Sequence, residues 1–240
     1  MELSVVVPAF NESHRLAGTL ERILDYLSAQ GGSFEVVVVD DGSDDATPSL
    51  AQSFAARGVR LLRHDRNRGK GAALATGVAA SRGDWVLLCD ADLATPIEEL
   101  ETLRARAPEV DLVAGSRATT GARIVRRQPF YREAMGKTYN RWLRLLGLTE
   151  LSDTQCGFKL VRGEPARRLF ERLTIGRFAW DVELLHLARR EGLRVVEVGV
   201  VWRHEPESKV HAVRDSWRML LDSLRLWWRE RTRRDGSPEG

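Results

Sequence analysis

The sequence predicts an α/β fold: a doubly wound, mostly parallel sheet flanked by helices. Three observations carry that expectation. Short Val- and Leu-rich runs recur along the chain, helical patterns alternate with them, and acidic residues stand where the runs end. Runs too continuous for a one-sided strand belong to strands covered on both faces. Repeated β-α-β units of this kind bind ligands beyond the strands' carboxyl ends.

The elements follow in order. Leu3–Val7, Phe34–Val39, Val59–Leu62, Trp85–Cys89 and Leu112–Ala114 read as strands. Between the first two, Leu16, Leu20, Ile23, Leu24 and Leu27 recur at three- and four-residue spacing, one face of a helix. Thr47-Pro48 or the acidic residues before it start the next helix, and Gly58 follows its end. The stretch "NRGKGAALATGVAAS", residues 67–81, is a Gly-rich turn leading into a small-residue helix. The second half changes character. From Arg117 to Arg144 there are eight Lys/Arg and one acidic residue. A short "DTQCGFKLV" segment follows, then a helical "WDVELLHLARREG", a strand "LRVVEVGVVW" and a terminal helix near Asp215–Glu230. In that helix Trp217, Leu220, Leu221, Leu224 and Trp228 share a face, a pattern that favours a core helix over a membrane anchor. Residues 231–240 are polar with Gly and Pro and read as a flexible tail.

Composition narrows the function classes. A chain of 240 residues, 43% hydrophobic, supports one large core, and the expectation is a single domain over 1–230. A formal charge of +3 is too small for a nucleic-acid footprint, and no recognition motif accompanies the basic stretch. Two cysteines, Cys89 and Cys156, make no disulfide framework and point to a reducing, cytoplasmic compartment. The N-terminus opens directly into a strand pattern, so no signal peptide is expected. No apolar run reaches the length of a membrane span. The five histidines lack zinc spacing, and no nucleophile motif is present.

Candidate site residues cluster at strand ends. Asp40 and Asp41 close the second strand, where a carboxylate can accept hydrogen bonds from a base or ribose and Gly42 admits close backbone approach. Turn and cap chemistry explains D-D-G-S equally well. Asp90-Ala91-Asp92 closes the fourth strand, and residues leaving a strand tip can converge on one ion. Mg²⁺ or Mn²⁺ takes one or two carboxylates together with substrate phosphates. Lys70, at a helix start, can meet a phosphate, while tight helix–sheet packing through Ala and Gly is the competing reading. Arg117 after "DLVAGS" can clamp a phosphate bidentately or belong to a solvated face. The density of the basic stretch, with Ile124, Val125, Phe130, Tyr131 and Trp142 among its cations, suits an anionic membrane surface.

Together these pieces resemble a family 2 glycosyltransferase of the GT-A fold. The matching stretches are "VVPAFNE" (6–12), "VVVVDDGSDDAT" (36–47), "NRGKGAALATG" (67–77), "DADLATP" (90–96) and "GSR" (115–117). The second half, through "DTQCGFKLV", "FAWDVELLHLA" and "ESKV", is similar to the dolichyl-phosphate β-glucosyltransferase branch. Polyprenyl-phosphate mannose synthases share the first half more closely than the second. The resemblance implies metal-dependent, inverting hexosyl transfer from a nucleotide sugar, UDP-glucose over GDP-mannose, to a polyprenyl phosphate; a soluble acceptor is the nearest rival. It implies a nucleotide-sugar half over 1–117 and an acceptor half over 118–230. It places Pro8, Ala9, Phe10 and Glu12 on the nucleoside side, Asp40 at the base, Asp90 and Asp92 at the metal–diphosphate site, and Ala91 and Lys70 among the nucleotide-sugar-binding residues. Arg117 falls at a phosphate, Asp153 and Gln155 near the sugar, and Arg203 and Lys209 in a late basic pair over the phosphates. Membrane docking is expected through residues 123–147 and the C-terminal helix, at the cytoplasmic face. Eukaryotic glucosyltransferases of the branch carry an N-terminal anchor for which this sequence has no counterpart before Leu3.

Overall fold

The computed structural model describes residues 1–205 and 212–235. Four parallel strands open the chain: β1 (Leu3–Ala9), β2 (Phe34–Asp40), β3 (Val59–Arg63) and β4 (Trp85–Leu88). Helices α1 (Leu16–Gln30), α2 (Thr47–Ser53) and α3 (Lys70–Ala80) connect them. After α4 (Leu100–Arg104) come β5 (Leu112–Ser116), β6 (Arg123–Arg126), α5 (Phe130–Leu145), β7 (Lys159–Arg162), α6 (Gly163–Glu171) and α7 (Trp180–Arg190). The chain then forms β8 (Val195–Gly199), β9 (Val201–Arg203) and α8 (Ala212–Asp235).

The seven-stranded sheet runs β3-β2-β1-β4-β7-β5-β8. Its central strands are covered on both faces, as their unbroken apolar runs require. Val5 and Val7 pack toward α1 among Leu16, Leu20 and Ile23, while Val6 points to the other face with Leu74, Val78 and Leu184. Each fully buried Val or Leu of this kind contributes about 1.5–3 kcal/mol.

Two features of the topology place the site. Strand order reverses at β1, which has β2 on one side and β4 on the other, so a crevice opens beyond the carboxyl ends of β1 and β4. Strand β7 lies antiparallel between β4 and β5, with Lys159 opposite Leu88 and Ala114. An antiparallel strand begins where its neighbours end, so the loop 153–158 leading into β7 reaches the same edge as Asp90 and Arg117.

Three expectations change. "LRVVEVGVVW" is two strands: β8 joins the main sheet, while β9 leaves it to pair with β6 inside the basic stretch. The terminal helix extends to Asp235, so residues 231–235 are helical, and 236–240 lie outside the described residues. The apolar face named for that helix is not its core face. Trp217, Leu221, Leu224 and Trp228 are exposed, while Met219, Ser223, Leu226 and Glu230 turn inward. The inward side packs with Tyr139, Leu143 and Val182 in a third cluster beyond the sheet. Polar residues on that side are paired rather than solvated, which is why apolar periodicity alone selects the wrong face.

Candidate active site

The tip of β4 is a tight, strained turn. Leu93 N–H donates to the Asp90 carbonyl at 3.2 Å, and Leu93 itself has φ +46°, a conformation that bulky residues rarely adopt. The turn leaves Asp90 and Asp92 half-buried side by side. Lys70 Nζ, from the first residue of α3, lies 2.6 Å from Asp90 Oδ1. Burial works against the Lys70 charge, but the Asp90 carboxylate outweighs it and holds the ammonium above its usual pKa. Among the described residues no cation pairs directly with Asp92, which accepts the Ala94 N–H at 2.9 Å. Burial first, then the neighbouring Asp90 charge, pushes its pKa up to about 6. Two convergent carboxylates with one cation between them form an oxygen donor set that fits Mg²⁺ or Mn²⁺ completed by substrate phosphates. Among the described residues there is no cluster of three or more His, Cys, Asp or Glu able to enclose a metal without a ligand's help.

Gly157, in the loop before β7, keeps this acidic face open: a Cβ there would collide with the Asp90 carboxylate. Lys159 fastens the same loop. It is fully buried, donates from Nζ to the Thr154 (2.9 Å) and Cys156 carbonyls, and lies over the Trp180 ring.

Arg117 leaves the end of β5 and meets Asp153 in a bidentate pair, Nε to Oδ2 at 2.7 Å and NH2 to Oδ1 at 2.8 Å. The Arg117 backbone N–H adds a third bond at 3.0 Å. Burial opposes the Asp153 charge, yet the guanidinium prevails and its pKa falls to about 2. Glu197 on β8 accepts the Ser152 and Asp153 N–H groups, and the guanidinium stacks on Trp202. Asp153 is thus buried and held against Arg117.

One cavity of about 660 Å³ collects Lys70, Asp90, Asp92, Arg117 and Gln155 on its lining. Its other wall is made by Met135, Tyr139 and Trp142 of α5 with Met219 and Leu220 of α8. Asp181 of α7 also lines it, and sequence reasoning missed that residue. The signal available was the "FAWDVELLHLA" stretch, read as a helix and as part of the family resemblance, with no role given to Asp181.

The residues expected on the nucleoside side are outside this cavity's lining. Ala9 is buried at the end of β1, while Pro8, Phe10 and Glu12 are half-buried, with Glu12 paired to Arg15. Asp40 is fully buried. Its Oδ1 accepts the Ser43 N–H at 3.3 Å, and its Oδ2 has no aligned donor, although Arg63 Nε is 3.1 Å away. Gly42, expected to admit a ligand, instead admits the Arg66–Asn67 backbone. Asp41 accepts the Arg68 and Gly69 N–H groups at 2.9 and 2.8 Å, the turn chemistry weighed for this strand end, and so positions Lys70. At the α3 N-terminus, Gly176 O takes the Ala72 N–H at 3.0 Å. Arg203 is exposed on β9 and is not brought to the cavity, whereas Trp202 and His204, on the strand's other face, line it. Lys209 lies outside the described residues.

An acidic strand tip, a lysine facing it and an arginine clamp at the next strand end, carried on a mostly parallel sheet, define a glycosyltransferase of the GT-A fold. Residues 4–170 match the family model for glycosyl transferase family 2, and the chain belongs to that family. It is 34% identical to the dolichyl-phosphate beta-glucosyltransferase of Dictyostelium discoideum, over 95% of this chain and 74% of that protein. Against the Mus musculus enzyme of the same name the identity is 36%, over 87% of this chain and 69% of the relative. Among solved structures, glucosyl-3-phosphoglycerate synthase from Mycobacterium tuberculosis, in complex with Mn²⁺, uridine-diphosphate and phosphoglyceric acid, aligns with a TM-score of 0.70. That match covers 94% of this chain and 78% of the other at 21% identity, a likeness of fold.

Proposed function

We propose that this glycosyltransferase moves a hexose from UDP-glucose to a polyprenyl phosphate, inverting the anomeric centre. The observation that carries the reading is the two-sided cavity. A charged floor of Lys70, Asp90, Asp92 and Arg117 suits phosphates, and the apolar wall between α5 and α8 suits the first prenyl units of a lipid. The names of the relatives support the same acceptor class and the glucosyl donor.

Asp90 and Asp92 would hold Mg²⁺ or Mn²⁺, which supplies Lewis-acid stabilisation of the departing nucleoside diphosphate. Arg117, kept rigid by Asp153 and Trp202, presents fixed positive charge to a phosphate in a partly water-excluded site. The second pKa of a phosphomonoester is about 6, so the acceptor is largely dianionic at neutral pH and attacks without a strong general base. No carboxylate is assigned that role.

No described helix is long and apolar enough to cross a membrane. Access to a lipid acceptor is assigned to a surface made by 123–147 and α8, at the cytoplasmic face. Phe130 and Leu145 of α5 are 84% and 82% exposed, and Trp217 and Trp228 of α8 are 64% and 65% exposed. Arg123, Arg126 and Arg127 stand exposed nearby in sequence, giving the apolar tips the basic company that anionic lipid favours.

The test is product formation from undecaprenyl phosphate in detergent, with Mg²⁺ or Mn²⁺, offering UDP-glucose, UDP-GlcNAc, UDP-galactose and GDP-mannose separately. A lipid-linked glucose that disappears with EDTA is the expected result. Product from GDP-mannose alone would replace the donor, and metal-dependent donor hydrolysis without lipid product would replace the acceptor.

A further inference from the structure

We propose that Asp181 recognises the transferred sugar, accepting hydrogen bonds from its hydroxyls in the cavity that Asp90 and Asp92 also line. The inference rests on the nucleotide-sugar reading above and deepens it.

Asp181 is the second residue of α7, is 4% exposed and lies on the cavity lining. Among the described residues its carboxylate takes one hydrogen bond, from the Val182 N–H at 2.8 Å. Other buried carboxylates here are treated differently. Asp153 receives Arg117 through three donors and the Gln155 N–H besides. Glu183, two residues beyond Asp181, accepts from Thr174 N–H and Oγ1, from Ile175 N–H and from Arg229. An ionised carboxylate has room for about four donors, and leaving that room unfilled in a buried position is costly. Burial accordingly pushes the Asp181 pKa up to about 6.

The nearby cations are committed elsewhere. Lys159 is held by two carbonyls, Lys70 by Asp90 and Arg117 by Asp153. Neither Asp181 oxygen is a buried orphan, so its unfilled acceptor capacity opens on the cavity, where a ligand can supply the donors. Its sign is constrained, because a carboxylate repels both the donor diphosphate and a lipid phosphate. Within a nucleotide sugar, the group next to the diphosphate that is neutral and rich in O–H donors is the hexose. A carboxylate built into the wall can satisfy itself on those hydroxyls and reject a hexose that lacks them.

The experiment compares wild type with Asp181→Asn and Asp181→Ala. It measures kcat/KM for UDP-glucose and for its 3-, 4- and 6-deoxy analogues, and the Kd of UDP alone. GDP-mannose, its deoxy analogues and GDP are run in parallel. Loss of a hydrogen bond to a charged group lowers kcat/KM for the complete sugar by about 10- to 100-fold in Asp181→Ala. The nucleoside diphosphate, which has no hexose, keeps its Kd within about twofold. One deoxy analogue that is poor for wild type loses nothing further in the variant, which names the hydroxyl. The isosteric Asp181→Asn keeps the shape of the α7 start should the alanine variant fail to fold. Equal weakening of nucleotide and nucleotide sugar, or a penalty that persists with every deoxy analogue, overturns the inference and leaves Asp181 a helix-start residue. A wild-type protein that binds no nucleotide sugar overturns the donor reading before any variant is compared.

Discussion

The two ends of the cavity floor hold their carboxylates by opposite means. At the β4 tip, Asp90 and Asp92 are crowded together with one lysine for two charges, and the Asp92 pKa is raised. At the β5 tip, the Asp153 carboxylate is enclosed by the Arg117 guanidinium and accepts the Arg117 and Gln155 N–H groups, so its pKa is depressed. The first arrangement stores a demand for positive charge that a ligand can meet. The second is already satisfied and serves to aim a guanidinium. Like residue types at neighbouring strand ends thus differ in whether function or stability is their first consequence.

The sharpest way to break that contrast is Asp92→Asn. Removing one of two crowded carboxylates relieves burial and repulsion, so thermal stability without metal stays level or rises. Turnover falls by about a thousandfold or more, because metal stabilisation of the leaving group is worth several kcal/mol. A melting curve beside a product assay decides it. A destabilised variant that keeps near-normal turnover would place Asp92 with Asp153 instead.

Asp153→Asn should behave in the reverse order. Breaking a buried pair from one side costs about 3–5 kcal/mol, read as a shift of the urea midpoint. Activity falls with it, because Arg117 loses its orientation. The pH dependence has a definite sign. The folded-state pKa of Asp153 lies below the ordinary carboxylate value, so its contribution is complete above about pH 4 and is lost as the pH falls toward 2. The stability gap between wild type and Asp153→Asn therefore narrows on acidification through that window. A gap that stays constant from pH 6 to pH 3 would mean the pair adds nothing through its charge.

The same contrast explains what was legible in the sequence. Strands β1 to β5 follow from local apolar runs, and Asp40, Asp90 and Arg117 are found because each sits where a run stops. Lys70, called by its place at a helix start, does reach the acidic tip. The second half resists such reading because its contacts are distant in sequence. Arg117 and Asp153 meet across 36 residues, and Glu183 and Arg229 across 46. Asp153 is legible as a member of a word, "DTQCGFKLV", yet nothing in that word says that it pairs with an arginine. Gly157 and Lys159 are in the same word, and their work depends on β7 running antiparallel, which periodicity does not encode. The outward face of α8 is illegible for a related reason. A stripe of Trp and Leu reads as core unless one knows that Ser223 bonds back to its own helix at the Leu220 carbonyl and Glu230 pairs with Arg190.

That outward stripe supplies the smallest of the expected effects and the cleanest separation between chemistry and location. Trp217 and Trp228 are far more exposed than the α8 residues that line the cavity, so replacing both with serine leaves the site intact. Reversing Arg123, Arg126 and Arg127 to glutamate changes exposed side chains, one of which has only a long 3.9 Å contact to Glu133. Each basic group near an anionic leaflet is worth about 1 kcal/mol, so the triple reversal weakens binding to phosphatidylglycerol-containing liposomes by at least about tenfold. The tryptophan pair acts in the same direction and is less sensitive to salt. Donor turnover on a short-chain, water-dispersed polyprenyl phosphate stays within about twofold in both variants, since neither touches Asp92, Arg117 or their supports. Liposome binding unchanged by both sets would remove the membrane role from this face. Loss of turnover on the short-chain acceptor would instead tie the face to the cavity itself, through the packing of α5 against α8.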